Sequence, residues 1–358
     1  APTNGYFLSA QSGNTGGLTW AAASGGGTAL ELYAENPSSP TAPSATGTNA
    51  VAIGSQSEAA GSESFAGGFN ATATAYRALA LGHGANAGNT SVALGTSANA
   101  SGSEGNALGR DATASGSESN ALGHSSIAAG IRSTAVGKSY ASGTDSFAAA
   151  IANNTSSYGA TGANSVAIGS LSKSSGADSV AIGDSNLASN GSAVAIGALN
   201  TASGSSSVVL GKSHTASGLG SACIGGSTST ASNTYSMTFG PYAKASVDNA
   251  FIFGSKGFFS AGSVQSGKYI LYSDTTNATA EALTTNNSTA ATTNQVVLPN
   301  NSAFAFSGTI VARQQASAGT ACAAWEIKGL IRREGSASTT VLVNSATTVL
   351  DNTPSWGM

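Results

Sequence analysis

A short apolar motif that ends in glycine returns about every 14 residues through most of the chain. Val-Ala-Ile-Gly at 51–54 recurs at 166–169, 180–183 and 194–197, and weaker copies lie between these positions. A Ser-Gly pair such as Ser101-Gly102 stands between many successive copies. A fixed period of this kind is typical of stacked repeats, in which each repeat packs mainly on its neighbours along the chain. The closing glycines stand at 54, 68, 82, 95, 109, 123, 137, 169, 183, 197, 211, 225, 240 and 254.

Each period predicts two short strands and two glycine-centred turns. Val or Ile alternates with Ala in the motif, which is the period-two pattern of a strand, and glycine supplies the positive φ of a tight turn. Strands that recur once per coil must run parallel, and stacking at about 4.8 Å pairs their backbones. A helix is disfavoured, because glycine twice per period would cost about 1 kcal/mol at each site. We therefore predict a parallel β-roll.

The composition agrees with a thin repetitive structure. Of 358 residues, 47 are glycine and only 8% are charged, whereas roughly 25% of an ordinary domain is charged. Disorder requires low hydrophobicity and high net charge, but the apolar fraction is 40% and the net charge −3. That charge gives no reason to expect a nucleic-acid partner.

The sequence also argues against membrane insertion and a disulfide framework. No apolar run reaches the roughly 18 residues that a membrane-spanning helix needs. Cys223 and Cys322 lie far apart in different sequence environments. The chain opens at Ala1 rather than Met, so we expect it to be a piece of a longer polypeptide.

The strand face opposite Val51 and Ile53 carries alanine instead of the polar residues of a solvated face. A ladder of small side chains suits the close approach of another chain. We therefore predict a parallel homo-oligomer, most simply a homotrimer, with the alanines at its interface. The predicted interface ladder is Ala52, Ala80, Ala93, Ala107, Ala121, Ala135, Ala167, Ala181 and Ala195.

Charged residues are periodic as well. The acidic residues stand five positions before a closing glycine, or before Ala150 in the case of Asp145, and the basic residues directly follow a closing glycine. Both sets are interpreted as exposed turn corners, and an intersubunit salt-bridge ladder is the alternative. The acidic set is Glu63, Glu104, Glu118, Asp145 and Asp178, and the basic set is His83, Arg110, His124, Lys138 and Lys212.

Histidines offer one route to an ion site. If His83 and His124 point to a threefold axis, their copies would form rings able to hold a metal or an anion, whereas outward-facing histidines would not. No Cys or His pair has the spacing of a metal site. We therefore expect neither a metal nor a cofactor.

The motif Asn-Ser-Val-Ala-Ile-Gly-Ser at 164–170 and its repeats resemble the head repeats of trimeric autotransporter adhesins. The resemblance covers residues 48–256 and implies a trimeric left-handed β-roll. Those adhesins continue into a coiled-coil stalk and a membrane barrel. After Phe259 this chain shows neither heptads nor amphipathic membrane strands.

The end segments resemble parts of bacteriophage tail fibres. The sequences at 268–272, 294–302, 304–313 and 324–329 look like a fibre's distal domain. Those at 5–8, 18–20 and 30–37 are similar to the connectors that precede such rolls in marine phages. This resemblance implies a trimeric fibre whose distal end recognises a receptor on the host cell.

We predict a β-rich connector at 1–47, a β-roll shaft at 48–260 and a C-terminal domain at 261–358 that contacts the receptor. A wider repeat spacing around 153–158 predicts a protruding loop. Beyond about 264 the period vanishes, and longer strands with turn signals predict an antiparallel β-sandwich or jelly roll. The alternation of apolar and polar residues along its strand predicts that the Trp325 side chain lies in the core of this domain. Candidates for receptor contact are Tyr269, Tyr272, Arg313 and Trp356.

Catalysis is not expected. The acidic residues of the roll recur at one position on a narrow coil, and no histidine follows His214, so neither a carboxylate pair nor a Ser-His-Asp site is indicated. We predict a non-enzymatic structural and receptor-binding protein of a phage tail fibre. It would bind tail or baseplate proteins at its N-terminal side and a host surface glycan or protein. The alternatives are the head of a trimeric autotransporter adhesin on a bacterial surface and a polysaccharide-degrading tailspike.

Overall fold

The computed structural model describes residues 41–149, 157–255, 262–276, 279–315, 321–352 and 354–356, and the backbone of two N-terminal strands. They belong to two compact units, Ala1–Gly137 and Lys138–Met358. Both units are built from rungs. Each rung has one strand of three to six residues and one of two residues, called here the long and the short strand. The predicted parallel β-roll is confirmed in each unit.

The first unit begins with an antiparallel pair, Tyr6–Ala10 with Leu18–Ala22. In the rungs that follow, long strands pair in parallel with long strands and short strands with short strands. The long strands are Val51–Ile53, Phe65–Gly67, Leu79–Leu81, Val92–Leu94, Asn106–Leu108, Asn120–Leu122 and Thr134–Val136. The short strands are Ser44–Ala45, Glu58–Ala59, Thr72–Ala73, Asn86–Ala87, Asn99–Ala100, Thr113–Ala114 and Ile127–Ala128.

The second unit repeats this architecture and adds two features. The antiparallel strand Gln265–Lys268 pairs with the last long strand, and a separate C-terminal sheet follows. The long strands are Phe147–Ala149, Val166–Ile168, Val180–Asp184, Val194–Ala198, Val208–Lys212, Ala222–Ser227, Met237–Phe239 and Phe251–Gly254. The short strands are Tyr140–Ala141, Gly159–Ala160, Lys173–Ser174, Leu187–Ala188, Thr201–Ala202, Thr215–Ala216, Thr230–Ala231 and Lys244–Ala245.

Alanine fills the interior of the rungs. The middle residue of most long strands is a fully buried alanine, as at Ala93 and Ala107, which pair with each other. The second residue of most short strands is also a buried alanine, as at Ala100 and Ala114. In most rungs both ladders contribute only methyl groups, so a coil this narrow has a closely packed interior. The last rungs of the second unit carry larger buried residues at the same long-strand position: Val209, Cys223, Thr238 and Ile252.

The alanines predicted at a trimer interface are therefore interior residues of a single chain, and that placement is corrected. Eight of them have no exposed surface in one chain: Ala80, Ala93, Ala107, Ala121, Ala135, Ala167, Ala181 and Ala195. Ala52, in the first long strand, is half-buried. A side chain that is already enclosed by its own chain has no surface left for a partner.

Two kinds of glycine shape the turns. Thirteen of the fourteen closing glycines have the predicted positive φ, for example 108° at Gly54 and 135° at Gly95, and Gly254 is the exception. The glycines of the Ser-Gly pairs are required for a different reason, which is the close approach of the next rung. A Cβ on Gly102 would lie 1.9 Å from the carbonyl oxygen of Gly116.

Buried serines satisfy the carbonyls of the same turns. Ser119 Oγ donates to the carbonyl of Gly116 over 2.7 Å, and Ser207 Oγ donates to that of Gly204 over 2.7 Å. Serine is small enough for the narrow interior and supplies the donor that a buried carbonyl needs. The Ser content of the repeat therefore stabilises its turns.

In four rungs of the second unit the long strand extends through the closing glycine. Three of these strands precede Asn186, Asn200 and His214, whose side chains are buried. The Asn186 amide donates to the carbonyls of Ile182 and Gly197, over 2.8 and 2.7 Å. These bonds hold the backbone where the strand would otherwise turn.

The C-terminal sheet consists of the antiparallel strands Ser302–Arg313, Cys322–Arg333 and Val341–Asn352. A 3₁₀ turn, Ala337–Thr339, precedes the last strand. The predicted antiparallel C-terminal fold is confirmed, and among the residues that the structure describes it takes the form of one three-stranded sheet. Trp325 is 5% exposed, as its predicted core position requires.

Other predicted segments are described only in part. Of the predicted loop 153–158, the residues up to 156 lie outside the described residues. The same holds for most of the predicted connector at 1–47, including residues 30–37.

Candidate interaction surfaces

The long strands expose large apolar side chains on their outer face. Their first and third residues point away from the alanine interior and stack from rung to rung, forming what we call the apolar stripe. In the first unit Leu81, Leu108 and Val136 are 48, 37 and 37% exposed. Large apolar residues aligned on a soluble surface mark an interaction site.

The second unit carries an apolar stripe of the same construction. Its exposed members include Phe147, Ile196, Phe251 and Phe253. Phe253 stacks on Phe239 of the preceding rung, with ring centroids 5.4 Å apart. The predicted alanine interface implied that the larger side chains of the long strands face the interior, whereas the structure places them outside.

The charged residues lie at exposed corners, as predicted. Glu63, Glu104 and Glu118 adopt left-handed backbone conformations with φ near 57°. Glu63 accepts a hydrogen bond of 2.7 Å from Arg77 Nε on the next rung. Since both side chains are about half exposed, this bond orders the corner more than it stabilises the fold.

His83 and His124 also lie at exposed corners. His83 stacks on Phe69, with ring centroids 5.2 Å apart. His124 Nε2 contacts Arg110 at 2.5 Å and lies 3.7 Å from Asp111 Oδ2. Because the positively charged Arg110 side chain contacts His124 Nε2, this nitrogen is poorly placed to bind a metal cation. No metal-binding cluster of His, Cys, Asp and Glu is found among the residues that the structure describes.

The C-terminal sheet has two chemically different faces. Strand alternation and pairing place Phe306, Trp325 and Val349 on one face, called the apolar face. Thr309, Glu326 and Thr348 lie opposite, on the polar face. Phe306 and Val349 are 36 and 59% exposed, so the apolar face is only partly covered by its own chain.

A shallow groove of about 350 Å³ runs mainly over the polar face. Glu326 and Lys328 place opposite charges in it, and hydroxyl groups of Ser307, Thr309 and Thr348 line the same depression. This combination of donors and acceptors suits a hydroxyl-rich ligand. Glu326 and Lys328 alternate with Trp325 and Ile327 along their strand, and this alternation is the sequence signal that could have located the polar face.

The four predicted receptor residues occupy different environments. Tyr269 packs against the solenoid core beside Ile252, and burial raises the pKa of its phenol. Tyr272 is 48% exposed and forms a bridge with Thr284. Tyr269 is thus less suited to stacking on a ligand than Tyr272.

Arg313 and Trp356 lie at one end of the C-terminal sheet. Arg313 is exposed at the end of its strand, opposite Cys322. Trp356 is held by Asn352, whose amide donates to the Trp356 carbonyl over 2.7 Å. Asn352 pairs with Ala323, which pairs with Ala312, and this register brings both candidates to the same end.

The repeat region is similar to a known family of repeats. A YadA head domain repeat model matches this chain. The matched residues are 45–71, 68–85, 87–105, 114–139 and 160–186. The resemblance to adhesin head repeats is therefore confirmed for these segments, while rungs of the same construction continue to Phe251–Gly254. Among curated proteins, none matches the chain.

No helix that could cross a membrane occurs in the described part of the chain.

Proposed function

We propose that this protein is the adhesive shaft and tip of an extracellular homotrimeric fibre, with a phage tail fibre as its specific identity. The observation that carries the proposal is the apolar stripe on a solenoid with adhesin-like repeats. YadA-like head repeats are usually trimeric and belong to extracellular or cell-surface proteins. The C-terminal sequences that resemble fibre tips support the phage identity.

In the proposed homotrimer the apolar stripes of three chains face one another. The first and third residues of the long strands would then become buried, as in homo-oligomer interfaces that are more apolar than ordinary surface. Sedimentation analysis of the full chain tests this arrangement. A folded monomer at micromolar concentration would refute it.

Substitutions test whether the apolar stripe, rather than another part of the surface, forms the trimer interface. The double variant Leu94→Asp and Leu108→Asp places carboxylates in the proposed interface, and we expect it to lose the trimer. The matched control, Asn99→Asp and Thr113→Asp, places the same charges on short strands of adjacent rungs. We expect the control to remain trimeric.

We place receptor binding in the polar groove of the C-terminal sheet. Threefold repetition would let three weak sites act together, so avidity supplies the affinity that a shallow groove lacks. The double variant Thr309→Ala and Lys328→Ala should lose binding to host cells in flow cytometry with labelled protein. Lys173→Ala, on a short strand of the solenoid, is the control, and equal loss in both would refute this location.

The head of a trimeric autotransporter adhesin is the second candidate function, because the YadA head domain repeat match favours it. The two candidates differ in the surface that is bound. A phage fibre should bind bacterial cells of its host, whereas an adhesin on a bacterium's own surface should bind the surface to which that bacterium attaches. Binding assays with both kinds of surface, and the coding sequence on either side of this chain, separate the two.

We also propose that the protein is not an enzyme. The groove contains Glu326 without a second carboxylate among its lining residues, whereas glycoside hydrolysis commonly uses a pair of carboxyl groups. Incubation with host surface polysaccharide followed by a reducing-end assay tests this proposal. New reducing ends would favour the polysaccharide-degrading tailspike.

A further inference from the structure

Three polar residues interrupt the apolar stripe of the first unit. Asn106, Asn120 and Thr134 are the first residues of three successive long strands. The same position in the preceding rungs is apolar, as at Leu79 and Val92. The third position stays apolar throughout the interruption, at Leu108, Leu122 and Val136.

The three residues are aligned and partly buried. Strand pairing places Asn106 beside Asn120, and Asn120 beside Thr134. Asn106 Nδ2 donates to Asn120 Oδ1 over 2.9 Å. This bond uses one donor of the first amide and one acceptor site of the second, so each amide retains hydrogen-bonding capacity. We call these three residues the polar block.

A uniform apolar stripe specifies register weakly. Successive rungs repeat at about 4.8 Å with nearly identical side chains. A chain that slips by one rung against its partners exchanges one aliphatic contact for another. A polar block removes this equivalence, because an amide buried against aliphatic side chains loses its water without gaining a hydrogen bond.

We propose that the polar block sets the register in which copies of this chain associate. In the aligned arrangement the amides and hydroxyls of the chains meet one another and satisfy their remaining hydrogen bonds. A slip by one rung brings Asn106 against Val92 of a partner copy. The inference rests on the proposed homotrimer and its apolar interface, and it names the residues that fix the alignment.

Disulfide trapping measures the register directly. Chains carrying Leu81→Cys are co-expressed with chains carrying Leu94→Cys, both full length and with Cys322→Ser. Leu81 and Leu94 are paired on adjacent rungs, so alignment yields 81–81 and 94–94 links and a one-rung slip yields 81–94 links. The method resolves one rung, because a disulfide requires Cα atoms within about 7 Å.

The decisive variant replaces Asn106, Asn120 and Thr134 with valine. Valine already occupies the equivalent position at Val92, so folding should persist. We expect the ratio of 81–94 links to aligned links to rise about tenfold or more, because an unpaired buried amide no longer penalises the slip. The control replaces Asn86 and Asn99 with valine. That pair shares a similar bond of 3.1 Å but lies on short strands, and its ratio should not change.

Each outcome is informative. The inference would be overturned if the valine variant had the same ratio of 81–94 links to aligned links as the protein with the intact polar block. It would also be overturned if 81–94 links were frequent when the polar block is intact. Loss of the trimer in the valine variant would overturn it too, since the block would then supply affinity rather than register. If the protein is trimeric but none of these cysteines forms links, the placement of the apolar stripe at the interface fails, which is a failure of the proposed function itself.

Discussion

The backbone N–H of Ser229 donates to Nδ1 of His214 over 2.9 Å inside the second unit. The same bond occurs in the two preceding rungs. Oδ1 of Asn200 accepts the N–H of His214 over 3.0 Å, and Oδ1 of Asn186 accepts that of Asn200 over 3.1 Å. The His214 ring therefore takes the place of an asparagine amide in a buried ladder. As an acceptor at Nδ1, it fits this position only in its neutral form.

This position makes the second unit sensitive to acid. Burial lowers the pKa of His214 from its ordinary value of 6.5. The unfolded chain therefore binds a proton that the folded chain resists, and stability falls as pH drops below 6.5 towards the folded pKa. The loss should reach at most about 1.4 kcal/mol per pH unit. Thermal unfolding followed by circular dichroism between neutral and mildly acidic pH measures it.

The matched variant for this prediction is His214→Asn, which copies the residue of the two preceding rungs. It should fold normally at neutral pH and lose less stability than the wild-type chain on acidification. Because the carboxylates are common to both proteins, the difference between the two pH profiles isolates the histidine. Identical profiles would contradict the prediction.

Removing the Asn200 amide from this ladder should destabilise the second unit. Its side chain donates to Ile196 and Gly211 and accepts from His214. Asn200→Ala leaves these buried backbone groups without partners, so we expect a loss of about 3 kcal/mol in unfolding free energy. Asn190→Ala, at an exposed turn, should change it by less than about 0.5 kcal/mol. Chemical denaturation compares the two variants.

Glycines at different turns should differ sharply in how much stability is lost when alanine replaces them. In Gly102→Ala the new Cβ would meet the Gly116 carbonyl oxygen of the next rung. Because that atom belongs to the backbone, relief requires two rungs to separate, and we expect a loss above about 3 kcal/mol. Gly191 has no atom within 4 Å of an added Cβ. Gly191→Ala should therefore retain the wild-type melting temperature, and similar losses in both variants would contradict this explanation.

The two thiols should differ in reactivity. Cys322 is exposed, whereas Cys223 is buried in the rung interior, where burial raises the pKa of its thiol. A maleimide should label one thiol per native chain and two per denatured chain. Rapid labelling of Cys223 in the native protein would show that the interior opens readily.

The repeat period carried most of the information about the solenoid. Regular glycines, with alternating apolar residues between them, predicted parallel rungs, and the positive φ at Gly54 and its equivalents confirmed the turns. Exposed corners for Glu63 and His83 followed from the same period. These features depend on local backbone conformation, which the residues at each position largely determine.

The sequence alone established that strands stack in parallel and where each one turns, but it did not establish which face of a strand is inside. Alternation places Val51 and Ile53 on one face of the strand and Ala52 on the other. Because both faces are apolar, their polarity does not show which one is buried. Only the tertiary structure decided it. In most rungs the long and short strands lie close enough that alanine and serine fill the interior. The larger side chains at the first and third positions of the long strands are left outside, where a second chain can cover them.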